Sequence, residues 1–134
     1  MKALTLYQPW ATLVAIGAKK IETRSWPTKY RGTIAIHAGL NKRYCGMKSK
    51  DYICGNEPFN DVLKAAWDRL HDPLDFMPLG AVVAVCDVEG CWQIKPGPLN
   101  LSDQEKAFGD YTPGRYMWML DNVTPIKPVF VKGA

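Results

Sequence analysis

A chain of 134 residues with 47% hydrophobic and 22% charged side chains has the size and composition of one globular domain, able to bury about two-thirds of its unfolded surface without a metal or disulfides. No apolar run approaches the ~18 residues of a membrane span, and Met1-Lys2-Ala3-Leu4-Thr5 lacks a secretory signal's long apolar region, so no membrane role and a cytoplasmic setting are expected. The net charge of +4, from 17 basic and 13 acidic residues, gives only a slight bias toward a polyanionic partner.

In chain order, the first strand runs into Leu6-Tyr7-Gln8-Pro9-Trp10-Ala11-Thr12. Pro9 suits the first position of a short helix, where its missing N–H costs nothing, and Gly17 suits a left-handed helix end. Between them Trp10, Leu13 and Val14 form one apolar stripe, with Trp10 expected in the core. Beyond Gly17 the period becomes two, so Lys20, Glu22, Arg24 and Trp26 share one strand face while Ile21 and Thr23 share the other. A strand over Arg31 to Ala38 ends near His37, read as hydrogen-bonded at the sheet rim. Residues 40 to 58 read as a basic loop insertion.

A helix from Asp61 to Leu70 follows, with Asn60 as its N-cap, Trp67 in its apolar stripe and Asp72-Pro73 as its stop. Residues 80 to 94 are expected as a strand pair, apolar on both parities as far as Cys86, with Gly90 turning the chain into Cys91-Trp92-Gln93-Ile94. Ser102 and Glu105 make a capping box for a third helix. Two strands close the pattern: Gly114 to Leu120, with Tyr116, Trp118 and Leu120 on one face, then a segment that Pro125 and Pro128 confine to a sheet edge. The cysteines at 45, 54, 86 and 91 lack the close pairing of structural zinc ligands and read as bystanders. The pattern is α+β and forms one domain over residues 1–134.

The block Gln8-Pro9-Trp10-Ala11 followed by Gly17, Lys19, Glu22 and Arg24 resembles the ASCH domain family, whose members share a Q-P-W-A start and a G-x-K-x-x-E-x-R signature. Arg31 to Ala38, Leu79 to Val85 and Gly114 to Leu120 are similar to that family's later strands, so the resemblance covers most of the chain. It implies a small PUA-like β-barrel or pseudobarrel with peripheral helices, nearly closed, with Lys19, Glu22 and Arg24 lining a central cleft. The chain departs from the family at the 40–58 insertion and in lacking a usual closing strand after Lys132-Gly133.

Nine basic residues fall between Lys19 and Lys50, with Tyr30, Tyr44 and Tyr52 among or just beyond them. Cations follow a phosphate backbone while aromatic faces stack on bases, a combination that suits single-stranded nucleic acid. A basic cleft is therefore expected to bind RNA, single-stranded nucleic acid or a modified nucleoside. Lys19, Lys20, Arg24 and Arg31 would contact phosphate or a base edge, Glu22 and Gln8 would make polar base contacts, and Trp26 would stack; no metal or organic cofactor is called for. A second reading comes from relatives that deacylate a modified cytidine with a Lys, a Thr and a Glu. Their lysine corresponds to Lys19 and their glutamate roughly to Glu105, but their threonine falls at Glu22, which leaves Glu22 to activate a water. Cleavage of RNA, reported for other relatives, belongs to the same class. A protein-interaction role for the aromatic edge is the third reading.

Overall fold

The computed structural model describes residues 1–40, 59–69 and 77–131. Among the described residues five strands and three helices follow in the order β1 (Lys2–Leu6), α1 (Trp10–Ala15), β2 (Ile21–Arg24), β3 (Gly32–Ala38), α2 (Phe59–Arg69), β4 (Ala81–Gln93), α3 (Asp103–Ala107) and β5 (Tyr116–Phe130). The strands form one sheet in the order β1-β3-β4-β5-β2. β1 runs parallel to β3, and every other pairing is antiparallel. The sheet curls without closing, which leaves β1 and β2 as its two edges. The fold is α+β with a pseudobarrel sheet, and no described helix is long and apolar enough to cross a membrane.

Local chemistry accounts for most of these elements. Pro9 is the N-cap residue of α1, and Gly17, just past the C-cap Ile16, takes φ +81° as a helix end requires. Ser102 Oγ accepts the Glu105 N–H at 3.1 Å and starts α3. In β2 the alternation is as expected: Ile21 and Thr23 are buried, Glu22 and Arg24 partly exposed.

Two expected breaks in the chain do not occur. β4 runs unbroken through Gly90, and the chain does not turn there. The register slips between Val88 and Gly90, and the Trp92 ring lies where a Gly90 Cβ would stand, 2.1 Å from the nearest ring atom. Gly90 thus marks a bulge and a close ring approach. The two expected C-terminal strands are likewise one strand, β5, with register irregularities opposite Val82–Ala84 and Val85–Asp87. Because β2 pairs only with Tyr116–Met119, the later half of β5 has one described partner, and Pro125 and Pro128 fall there. Asn60 is inside α2 and does not cap it. Cys45, Cys54 and the side chain of Trp67 lie outside the described residues.

The main core joins Leu6, Ala11 and Val14 to Ile34, Ile36, Ala84, Cys86, Val88 and Leu120. A second cluster sets Leu13 of α1 against Leu63, Ala66, Met77 and Phe108, fastening α1 to α2 and to the end of α3. His37, next to last in β3, is hydrogen-bonded as expected, and it is buried. Its Nδ1 is 3.2 Å from Thr5 Oγ1 and its Nε2 3.3 Å from the Val131 carbonyl.

Burial, with Asp87 adding to it, pushes the Cys86 thiol up to about 11. In the unfolded chain the thiol ionises from about 9, so its stabilisation is complete below pH 9 and lost as pH rises through 11. That loss is roughly 2–3 kcal/mol at 1.36 kcal/mol per pH unit. Urea unfolding from pH 8 to 11.5 should show a Cys86→Ala variant losing less stability than the parent over this window; parallel curves would contradict the assignment.

Candidate functional site

The two sheet edges face each other across a seam, and the seam is the cleft. About 680 Å³ of space is lined by Thr5, Leu6 and Tyr7 at the end of β1, Trp10 of α1, Glu22 to Trp26 on β2 and beyond, Ala107 to Asp110 after α3, and Arg115. That size is in the usual range of small-molecule sites. No strand pairing spans the gap; side chains do. Arg24 Nη2 reaches from β2 to the Thr5 carbonyl of β1 at 2.9 Å. Its Nε donates to Glu22 Oε2 at 3.0 Å, and its guanidinium stacks on Trp26, 5.5 Å from the ring centroid.

Beneath the lining lies Lys19, with 0% exposure. Its Nζ donates to the Phe108 carbonyl at 3.0 Å and stands 3.8 Å from Glu22 Oε1, an ion pair too long to be a hydrogen bond. Trp10 Nε1 donates to the same carbonyl at 2.9 Å, so the end of α3 is pinned from α1 and from the α1–β2 turn together. Burial pushes the Lys19 ammonium below its ordinary pKa, while Glu22 and then Glu105 oppose that shift. Glu22 is surrounded by positive and donor groups: Arg24 donates to Oε2 and the Thr23 N–H to Oε1, with the Lys19 ammonium ion-paired beside Oε1.

Glu105 has two jobs. Its backbone N–H takes the Ser102 cap, yet its carboxylate turns away from the capping box and accepts the Lys20 N–H on Oε1 at 2.8 Å. Its Oε2 and the Tyr111 hydroxyl are buried, with no hydrogen-bond partner among the described residues. Burial first, then Glu105 and Glu22, push the Tyr111 phenol up. Lys19, Glu105 and Tyr111 thus form a polar group off the lining, in electrostatic contact with Glu22 of the lining.

Of the residues expected at the site, Glu22, Arg24 and Trp26 line the cleft, and Lys19 and Glu105 lie under it. Three are elsewhere. Gln8 is fully buried, donating from Nε2 to the Pro78 carbonyl and accepting the Thr12 N–H on Oε1, which makes it a brace for α1. Lys20 meets Glu105 through its backbone N–H and is absent from the lining, its side chain exposed. Arg31 is exposed off the lining, donating to the Thr28 and Tyr30 carbonyls. The cleft is thus not the basic trough that charge clustering implied: Glu22 and Asp110 balance Arg24 and Arg115 in its lining. Lys42, Arg43, Lys48 and Lys50 lie outside the described residues.

Sequence reasoning missed Trp10, Tyr7 and Arg115. Trp10 is half-buried at the cleft, since α1 turns Leu13 and Val14 inward and leaves the ring at the helix start. Arg115 donates from Nε to the Asp110 carbonyl at 3.1 Å and from Nη2 to the Thr23 carbonyl at 3.2 Å, satisfying an outward group of the β2 edge. Its one sequence signal was a cation following Gly114 at the start of an aromatic strand. The Thr23 hydroxyl, off the Glu22–Arg24 face as expected, accepts the Asp110 N–H at 3.1 Å.

The Lys19 environment has a pH signature. Its folded pKa is below 10.5 and its unfolded pKa near that value, so between the two the unfolded chain holds the extra proton and stability rises with pH. Lys19→Met should lack that rise when unfolding free energies of the two proteins are subtracted across the alkaline range below pH 10.5; a pH-independent difference would mean that Lys19 is not desolvated.

Known proteins agree with this architecture. The ASCH domain profile matches residues 4–130. Activating signal cointegrator 1 of Homo sapiens is 46% identical over 39 residues, which are 29% of this chain and 7% of that protein. Its Mus musculus counterpart is 49% identical over 35 residues, 26% of this chain and 6% of that protein. The match thus spans only a small part of those proteins' length. Among solved structures, ASCH from Zymomonas mobilis superposes with TM-score 0.52 at 16% identity, covering 96% of this chain and 71% of that one. A serine-to-alanine variant of the same protein gives 0.50 at 17% identity, covering 96% and 72%. Identities this low speak for the fold alone, whereas the family profile spans nearly the whole sequence: the chain belongs to the ASCH domain family, and its open sheet is the PUA-like pseudobarrel of that family.

Proposed function

We propose that the seam cleft binds one base of single-stranded RNA or of a modified nucleotide. The observation that carries this reading is the Arg24 guanidinium, fixed by Glu22 and the Thr5 carbonyl and stacked on Trp26, in a cleft that Tyr7 and Trp10 also line. An ordered cation beside aromatic rings offers a base a stacking partner and offers its phosphate a donor with little left to order on binding. Trp26, 52% exposed, has ring surface to spare. The balanced lining argues for reading a base more than for gripping a long backbone.

A second reading, metal-independent hydrolysis of an acylated cytidine or of RNA, draws on the desolvated Lys19 against Glu22 and Glu105. Burial of that kind tunes groups for proton transfer. Against it, Glu22 already has donors on both oxygens, and the Thr23 hydroxyl is engaged by Asp110.

Titration of single-stranded RNA at physiological salt should give dissociation constants of order 10⁻⁴–10⁻⁶ M, tightening as salt is lowered. Two arginine–phosphate contacts would make the logarithmic salt slope about −1.4, at roughly 0.7 per contact. Trp26→Ala should weaken binding roughly 5- to 100-fold through lost stacking. Lys19 is unsuited to charge reversal because it is buried, so Arg24→Gln is the matching charge test. Unchanged affinity in both folded variants would move the interface away from the seam. Turnover of an acylated cytidine in EDTA, lost by about 10²-fold or more in Lys19→Met, would replace binding with the hydrolytic reading.

A further inference from the structure

Beside the cleft, and sharing Glu22 and Arg24 with its lining, two rows of side chains cross β4, β5 and β2. Gln93 is in register with Tyr116, and Tyr116 with Arg24; in the next row Cys91 meets Trp118, and Trp118 meets Glu22. Cross-strand partners share a face. Leu120, two residues beyond Trp118 on that face, is in the core at 5% exposure, whereas Trp118 and Tyr116 are half-exposed. The core face therefore opens to solvent along Trp118 and Tyr116, beside the seam. Arg24 belongs to both places, lining the cleft and pairing with Tyr116. Trp118 Nε1 donates to the Trp26 carbonyl at 3.1 Å and ties the cleft rim to the rows. At the far end Lys95 Nζ donates to Gln93 Oε1 at 3.0 Å. The row Gln93, Tyr116 and Arg24 is thus extended by Lys95, bonded to Gln93, and by Trp26, stacked on Arg24, so that it carries two cations and no acid. Glu22, in the neighbouring row, is neutralised by Arg24 and Lys19.

We infer that this row is a second nucleotide platform, and that the ligand is an oligonucleotide of at least two residues and not a free nucleoside. One base occupies the cleft, the next stacks on Tyr116 beside Trp118, and the connecting backbone passes over Arg24 toward Lys95. The inference rests on the reading that the cleft takes a base. Continuity with the cleft at Arg24 and the match between two cations and successive phosphates favour a nucleic-acid strand as the occupant. Exposed aromatic residues on a sheet are a general means of stacking successive unpaired bases.

Isothermal titration at one low salt concentration, with cytidine 5′-monophosphate and the oligocytidylates pCpC and pCpCpC as probes, tests this. The wild-type protein should bind pCpC roughly 5- to 100-fold more tightly than the mononucleotide, the increment expected for one stacked base. Tyr116→Ala should remove most of that ratio, Tyr116→Phe, which keeps the ring, should preserve it, and Lys95→Gln should reduce it. Equal affinity for one and two nucleotides in the wild-type protein would overturn the second platform while leaving the cleft reading intact. So would a ratio unchanged by both Tyr116→Ala and Lys95→Gln. Absence of binding by all three probes would remove the cleft reading and this inference together.

Discussion

An amine sealed in a protein interior loses its hydration, at an effective cost of several kcal/mol unless other groups take water's place. Lys19 sets that condition, and much of the surrounding structure answers it. The Phe108 carbonyl, at the C-cap of α3, accepts its proton, so α3 must end against the α1–β2 turn. Glu22 supplies the nearest negative charge, and Glu105 approaches from α3 while holding the Lys20 N–H. Once Glu22 is committed to Lys19 on one oxygen, its other oxygen is free to fix Arg24. Arg24 in turn reaches Thr5 across the seam. A buried charge and an open sheet are thus parts of one arrangement.

The same chain of contacts explains why the edges of the sheet do not simply pair. At Thr23 the outward backbone groups of β2 are met by side chains, its N–H by Glu22 and its carbonyl by Arg115, while its hydroxyl accepts the Asp110 backbone N–H. An edge satisfied this way has little left to offer another strand. The space left open is lined by aromatic side chains and ordered guanidinium groups, which is what recognition of a flat, hydrogen-bonding ligand needs. The Gly109 backbone passes so close to Tyr111 and Thr23 that an added Cβ would come within 2.9 Å of the Tyr111 ring, so the loop after α3 is a tight wall of the cleft.

Local signals in the sequence were enough for α1, between Pro9 and Gly17, for the alternation of β2 and for the Ser102 start of α3. They also identified Glu22, Arg24 and Trp26 as a set. What failed depended on contacts distant in sequence. Lys19 looks like a solvated turn residue until Phe108, eighty-nine positions later, closes over it. Gln8 carries the polar profile of a ligand contact, yet Pro78 and Thr12 use up its amide. Gly90 has the composition of a turn, but the Trp92 ring uses its missing side chain inside a continuous strand. Clustered lysines and arginines marked a basic region without showing that Lys20 and Arg31 lie off the cleft lining.

The ligand is proposed to sit in the seam bridged by Arg24. A crystal structure of the protein with cytidine 5′-monophosphate would locate it. The base is expected against the Trp26 ring within the cleft, with a guanidinium nitrogen of Arg24 or Arg115 at hydrogen-bond distance from the nucleotide. A nucleotide bound instead on the exposed surface around Lys29 and Arg31, with the seam filled only by water, would contradict it.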